Sequence, residues 1–94
     1  MDKEIKEMLN HFGILDEEID VLLQICPGLE IVDYAKARKC VIAVIKAGYP
    51  QADISSLIYI NPSFMMSEPK ELEDKLKEIG GDIGEKLKED PFLI

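Results

Sequence analysis

Apolar residues return at the spacing of one helix face along nearly the whole chain, and the pattern recurs after 35 positions. Ile5, Met8, Leu9 and Phe12 follow the i, i+3, i+4, i+7 rhythm that lines one side of an α-helix. Cys40, Ala43, Val44 and Ala47 repeat it at the same offset. Under that shift Gly13, Ile19, Leu22, Ile25 and Pro27 fall on Gly48, Ile54, Leu57, Ile60 and Pro62, while Leu23 meets Ile58 and Leu29 meets Phe64. A third, degraded copy closes the chain, with Ile83, Leu87, Pro91 and Leu93 keeping the spacing of Ile19, Leu23, Pro27 and Leu29. Ahead of it, Leu72, Leu76 and Ile79 form an apolar stripe on an otherwise charged segment. A fixed period of this length is the mark of stacked supersecondary units.

Each unit reads as helix, glycine turn, second helix, proline break. A glycine after Phe12, Ala47 and Ile79 can take the left-handed conformation that closes a helix, and Asp16 and Asp82 are placed to cap the helix that follows. Pro27, Pro62 and Pro91 then stop the second helix, and the apolar residues after each proline can fold back as a plug. Helices are expected near residues 2–12, 16–26, 33–47, 51–61, 68–79 and 82–90, with no strand. The fold class is all-α: about three stacked helix-turn-helix repeats of roughly 35 residues in a short right-angled or solenoid-like bundle. The repeats occupy residues 1–31, 33–66 and 68–94 of a single domain, the third turn being the tightest. The segment Cys40–Ile45 is apolar almost all round its axis, so the third helix belongs in the middle with neighbours on more than one side.

Composition narrows the function. At 94 residues the chain has room for one core, and 47% hydrophobic content is enough to build it. The net charge of -8 opposes binding to phosphate backbones or anionic membranes. Charge is uneven: residues 1–30 carry eight acids against two lysines, residues 31–66 two acids against four bases, and residues 67–94 nine acids against five lysines. No apolar run approaches the roughly 18 residues of a membrane span, and the opening Met1-Asp2-Lys3-Glu4 does not look like a signal or transit peptide. Two cysteines, Cys26 and Cys40, do not make a secreted disulfide framework, so reduced thiols in a cytoplasm are expected.

The units resemble the helical repeats of the mitochondrial transcription termination factor family. The likeness is carried by His11-Phe12-Gly13-Ile14-Leu15-Asp16-Glu17-Glu18-Ile19 leading to Cys26-Pro27-Gly28-Leu29, by Ala47-Gly48-Tyr49 leading to Asn61-Pro62-Ser63-Phe64, and by Gly80-Gly81-Asp82-Ile83 leading to Asp90-Pro91-Phe92-Leu93. That resemblance implies stacking into a curved half-solenoid, with nucleic acid held on a basic concave face. The present chain is short and acidic, so the implied architecture is expected here and the implied nucleic-acid binding is not.

Catalysis is not expected. His11 is the only histidine, both cysteines occupy apolar helix positions, and no glycine-rich strand-to-helix turn is present to hold a phosphate. One His and two separated Cys are too few for a zinc site, and Asp16-Glu17-Glu18-Ile19-Asp20 lacks the glycine and closing Glu of a calcium loop, so neither metal nor cofactor is expected. The expected role is a non-catalytic protein-interaction or regulatory module. Two features are candidates for contact with a protein partner: Phe64, Met65 and Met66, which end the second repeat with large adaptable side chains, and Lys36, Lys39 and Lys46, which share one arc of the third helix. Each has a plainer reading, as core packing and as the solvated edge of a buried helix. An acidic decoy mimicking nucleic acid, built from Asp16, Glu17, Glu18 and Asp20 with Glu71, Glu73, Asp74 and Glu78, is the alternative. A ubiquitin-associated-like module over residues 33–79, suggested by Ala47-Gly48-Tyr49, is a further one.

Overall fold

The chain folds as six helices without a strand, in a computed structural model that describes residues 1–94. They are α1 (Lys3–His11), α2 (Asp16–Ile25), α3 (Tyr34–Lys46), α4 (Ile54–Ile60), α5 (Pro69–Ile79) and α6 (Ile83–Glu89). After each repeat proline the chain tightens into a 3₁₀ turn, at Pro27–Glu30, Pro62–Met66 and Pro91–Leu93. Proline suits the first position of such a turn because its fixed φ is already helical and its missing N–H would have had no partner there. The plug expected after each proline forms in the first two units but not in the third, where Phe92 and Leu93 are exposed. Leu29 and Phe64, two residues past their prolines, are fully buried.

Helix starts and stops follow from local hydrogen bonds. Asp2, Asp33 and Asp82 accept from the backbone N–H of Glu4, Lys36 and Glu85 at 2.7, 3.1 and 3.1 Å, satisfying amides left free at a helix start. Asp16, expected as a cap, is instead the first residue of α2. Leu15 precedes it, with its N–H held by the Glu18 carboxylate at 2.9 Å, and Asp16 accepts from the Asn10 side chain. The segment expected as one helix over 51–61 begins as a 3₁₀ turn, Gln51–Asp53, before α4.

The first two glycine turns are the same structure. Gly13 and Gly48 have φ of 96° and 125°, and the next residue's N–H reaches back to the last turn of the helix, Ile14 to the Leu9 carbonyl and Tyr49 to that of Val44. This is the helix-closing arrangement in which the residue after the glycine turns inward to make an apolar contact, and Ile14 and Tyr49 are both buried. The third turn is built differently. Gly80 and Gly81 both have positive φ, and Lys86 Nζ donates to the Ile79 carbonyl at 2.9 Å to satisfy the end of α5.

The first helices of the units lie side by side, α3 in the middle with α1 on one flank and α5 on the other, as its all-round apolar surface requires. The second helices follow the same order, α2 sharing a cleft with α4, and α4 another with α6. One continuous core draws on all six helices. Each fully buried large aliphatic side chain contributes about 1.5–3 kcal/mol of burial free energy. No helix is long and apolar enough to cross a membrane.

Contacts between units recur with the repeat. Cys26 lies beside Met66 of the next unit, Sγ to Sδ 3.9 Å, and its equivalent Asn61 donates from Nδ2 to the Pro91 carbonyl at 3.0 Å. The glycine turns also stack: Gly13 sits against Ser55 at the start of α4, and Gly48 against Ile83 and Gly84 at the start of α6.

Candidate binding groove

A groove of about 560 Å³ opens between α1 and α3. Its floor is apolar and only half covered, formed by Phe12 of the first turn and by Tyr34, Ile42 and Ile45 of α3. Glu4 and Glu7 stand on the α1 wall, with His11 at its end beside the Phe12 ring at 5.3 Å, edge to face. Arg38 and Lys46 stand on the α3 wall. A second hollow, between α3 and α5, is lined by Ala43, Lys46, Ala47, Leu76 and Lys77. Lys46 therefore stands on the ridge between the two.

The helical period explains why α3 carries this surface. Arg38, Ile42, Ile45 and Lys46 project along one side, opposite Ala37, Cys40, Val41 and Val44, which are buried. Arg38, Lys39 and Lys46 are exposed and none has a carboxylate within 4.0 Å. Lys36 differs. Its ammonium meets Glu68 at 2.7 Å, and that hydrogen bond, with the attraction between the charges, holds its pKa above the ordinary lysine value. The arc of three lysines read from the sequence is thus split, Lys36 tying α3 to the start of α5 while Lys39 and Lys46 face solvent.

The other candidate trio lies mostly inside the fold. Phe64 and Met65 are core residues with essentially no exposed surface, and the Pro62–Met66 turn packs on α3. Met66 is 41% exposed, but its sulfur leans on Cys26 and Gly28 of the preceding unit. Phe64 and Met65 are thus occupied in packing within the fold, and Met66 helps to join the second unit to the first. Tyr49 is likewise buried, its pKa raised first by that burial, so the Ala47-Gly48-Tyr49 loop does not present an aromatic ring to a partner.

The two acidic clusters stand on helices with different neighbours. α2 packs on α1 while α5 packs on α3, and several carboxylates already have partners: Asp16 with Lys6 at 3.7 Å, Glu18 with the Leu15 amide and Asp74 with Lys70 at 3.4 Å. His11 is exposed at the groove mouth, whereas Cys26 and Cys40 are both buried. Burial raises the Cys40 pKa, with the Glu68 charge adding to it, and its Sγ donates to the Ser67 carbonyl at 3.2 Å. A protonated, sealed thiol is a poor nucleophile. No group of three or more His, Cys, Asp or Glu side chains is gathered as a metal site would need.

Sequence reasoning missed Arg38, Tyr34, Ile42, Ile45 and the α1 wall. The signal was present in the pairing of α1 and α3 as equivalent first helices, whose matched apolar stripes bring Phe12 and Ile45 to the same seam. No family model, curated protein or solved structure matches the chain.

Proposed function

We propose that this chain is a non-catalytic helical-repeat binding module that holds a protein partner along the groove between α1 and α3. The observation that carries this reading is the pair of unpaired cations lining the groove, Arg38 and Lys46, beside a half-exposed apolar floor in a molecule with a net charge of -8. Lys3, Lys6, Lys36, Lys70 and Lys88 each meet a carboxylate, while Lys75 and Lys77 on α5, like Arg38 and Lys46 of α3, do not. Cations left free beside Ile42 and Ile45 are available to a partner's carboxylates while its apolar side chains cover the floor. The opposite wall, with Glu4 and Glu7, repels phosphate, which favours a protein over a nucleic acid. The likeness to the mitochondrial transcription termination factor repeats enters this proposal as a likeness of architecture. A cytoplasmic location goes with it, since neither thiol is cross-linked.

The test is quantitative capture from host extract with the wild type, the double variant Arg38→Glu/Lys46→Glu, and Lys75→Glu as a charge control on the outside of α5. A partner of the groove is retained by the control and bound about tenfold or more weakly by the double variant. Identical partner sets for all three proteins would remove the groove from the reading. A salt-sensitive gel shift with oligonucleotides would replace the protein partner by nucleic acid.

A further inference from the structure

The groove between α1 and α3 has one acidic wall and one basic wall, and the two do not meet. Glu4 and Glu7 line it from α1, Arg38 and Lys46 from α3. Neither cation comes within 4.0 Å of a carboxylate, so charges that could neutralise each other directly are held apart over an apolar floor. Glu7 has only Lys3 of its own helix, at 4.0 Å, and all four groove side chains are exposed. An occupant of uniform charge is opposed by one wall, whichever sign it carries. The backbone adds a second condition. Both walls are α-helices whose backbone donors and acceptors are used within the helix, so the groove presents side chains and no edge on which an extended strand could pair.

We propose that the partner segment held here, in the groove reading on which this rests, is an amphipathic helix with opposite charges on its two flanks. Its apolar stripe covers Phe12, Ile42 and Ile45, carboxylates on one flank meet Arg38 and Lys46, and lysine or arginine on the other meets Glu4 and Glu7. A helix arrives with its own backbone bonds made, so side chains are all it needs from the groove. The spacing follows from the walls. Arg38 and Lys46 stand eight positions apart, about 12 Å along α3, and carboxylates at i and i+7 of the partner lie on one flank about 10.5 Å apart. Turning such a helix end for end exchanges its flanks, so the charge order also fixes the direction in which it lies.

Selection on the intact protein from a displayed library of random peptides of about 16 residues, some four turns of helix, tests this. Enriched peptides are expected to carry apolar residues at helical spacing, acids on one flank and bases on the other. The best of them, made synthetically, is expected to gain helical circular dichroism on binding and to bind Arg38→Glu/Lys46→Glu about tenfold or more weakly. Changing its acidic flank to lysine is expected to restore affinity for that variant, a rescue that a misfolded variant could not give. A photocrosslinker at its first residue is expected to label one end of the groove. The proposal is overturned by enriched peptides of uniform charge or alternating pattern, by absent rescue, by labelling of both ends, or by no enrichment. A peptide that tolerates a central proline yet still loses affinity for the double variant overturns the helix and leaves the groove standing. One that binds the wild type and the double variant equally overturns both.

Discussion

Gly84 is buried at the start of α6, where the chain passes the turn of the preceding unit. A Cβ there would lie 2.9 Å from the Gly48 carbonyl oxygen and 3.3 Å from Pro50 Cδ. Neither is the free end of a flexible side chain, so the two units would have to part. Gly28 meets its neighbour even closer, but that neighbour is the Met66 thioether, which can swing aside. Gly84→Ala is therefore expected to lower stability by about 1–3 kcal/mol despite the better helix propensity of alanine, and Gly28→Ala to change it by less than about 0.5 kcal/mol. Urea melts of the two variants decide it: equal midpoints would mean that the turn of the second unit does not press on α6. The sequence marked Gly13, Gly48 and Gly80-Gly81 as helix-closing positions, because those glycines end an apolar period. Gly84 carries no such mark. Its need for a missing side chain arises only when residues 36 positions apart in the chain are brought together.

Element boundaries were largely legible, since glycine, proline and aspartate act within one turn of where they stand. Asp82 caps α6 as expected and each repeat proline opens a 3₁₀ turn, whereas Asp16 falls inside α2 and the caps of α1 and α3, Asp2 and Asp33, were not singled out. What the linear pattern could not show is which elements touch, and Asn61 illustrates the gap. It stands just before Pro62 as Cys26 stands before Pro27, and that position alone does not show what its side chain reaches. In the fold it is a buried polar bridge, donating to the Pro91 carbonyl of the next unit at 3.0 Å and accepting from the Ser63 hydroxyl at 2.6 Å. Asn61→Ala leaves both groups without that partner in a site from which water is largely excluded, at an expected cost of about 1–3 kcal/mol. Because the lost bond joins the second unit to the third, α6 and the Pro91–Leu93 turn should also exchange their amides faster than α1 does. Uniform exchange across all six helices would show that Asn61 supports the whole fold evenly and does not fasten one unit to its neighbour.

In a molecule of three units the central one has no surface designed for water on either flank. α3 packs between α1 and α5, and Lys36 reaches across to Glu68. On the outer layer Tyr49 and Leu57 share a cleft with Leu87 and Pro91, while Lys88 pairs with Asp53 at 2.9 Å. Stability in such a stack is the sum of weak units and the interfaces between them, so an end unit is needed for the interface it supplies more than for itself. Deleting residues 67–94 removes that interface together with Leu72, Leu76, Ile83 and Leu87, at about 1.5–3 kcal/mol of burial each, and uncovers the apolar flank of α3. The remaining chain is also short enough that its single core is marginal. Residues 1–66 alone are expected to self-associate or to lose cooperative unfolding, because the newly bared flank of α3 is apolar. Light scattering with a parallel urea melt measures both. A monomeric fragment with a sharp transition would mean that the first two units form an independent core, and that the third is an appendage whose role lies in contact with a partner.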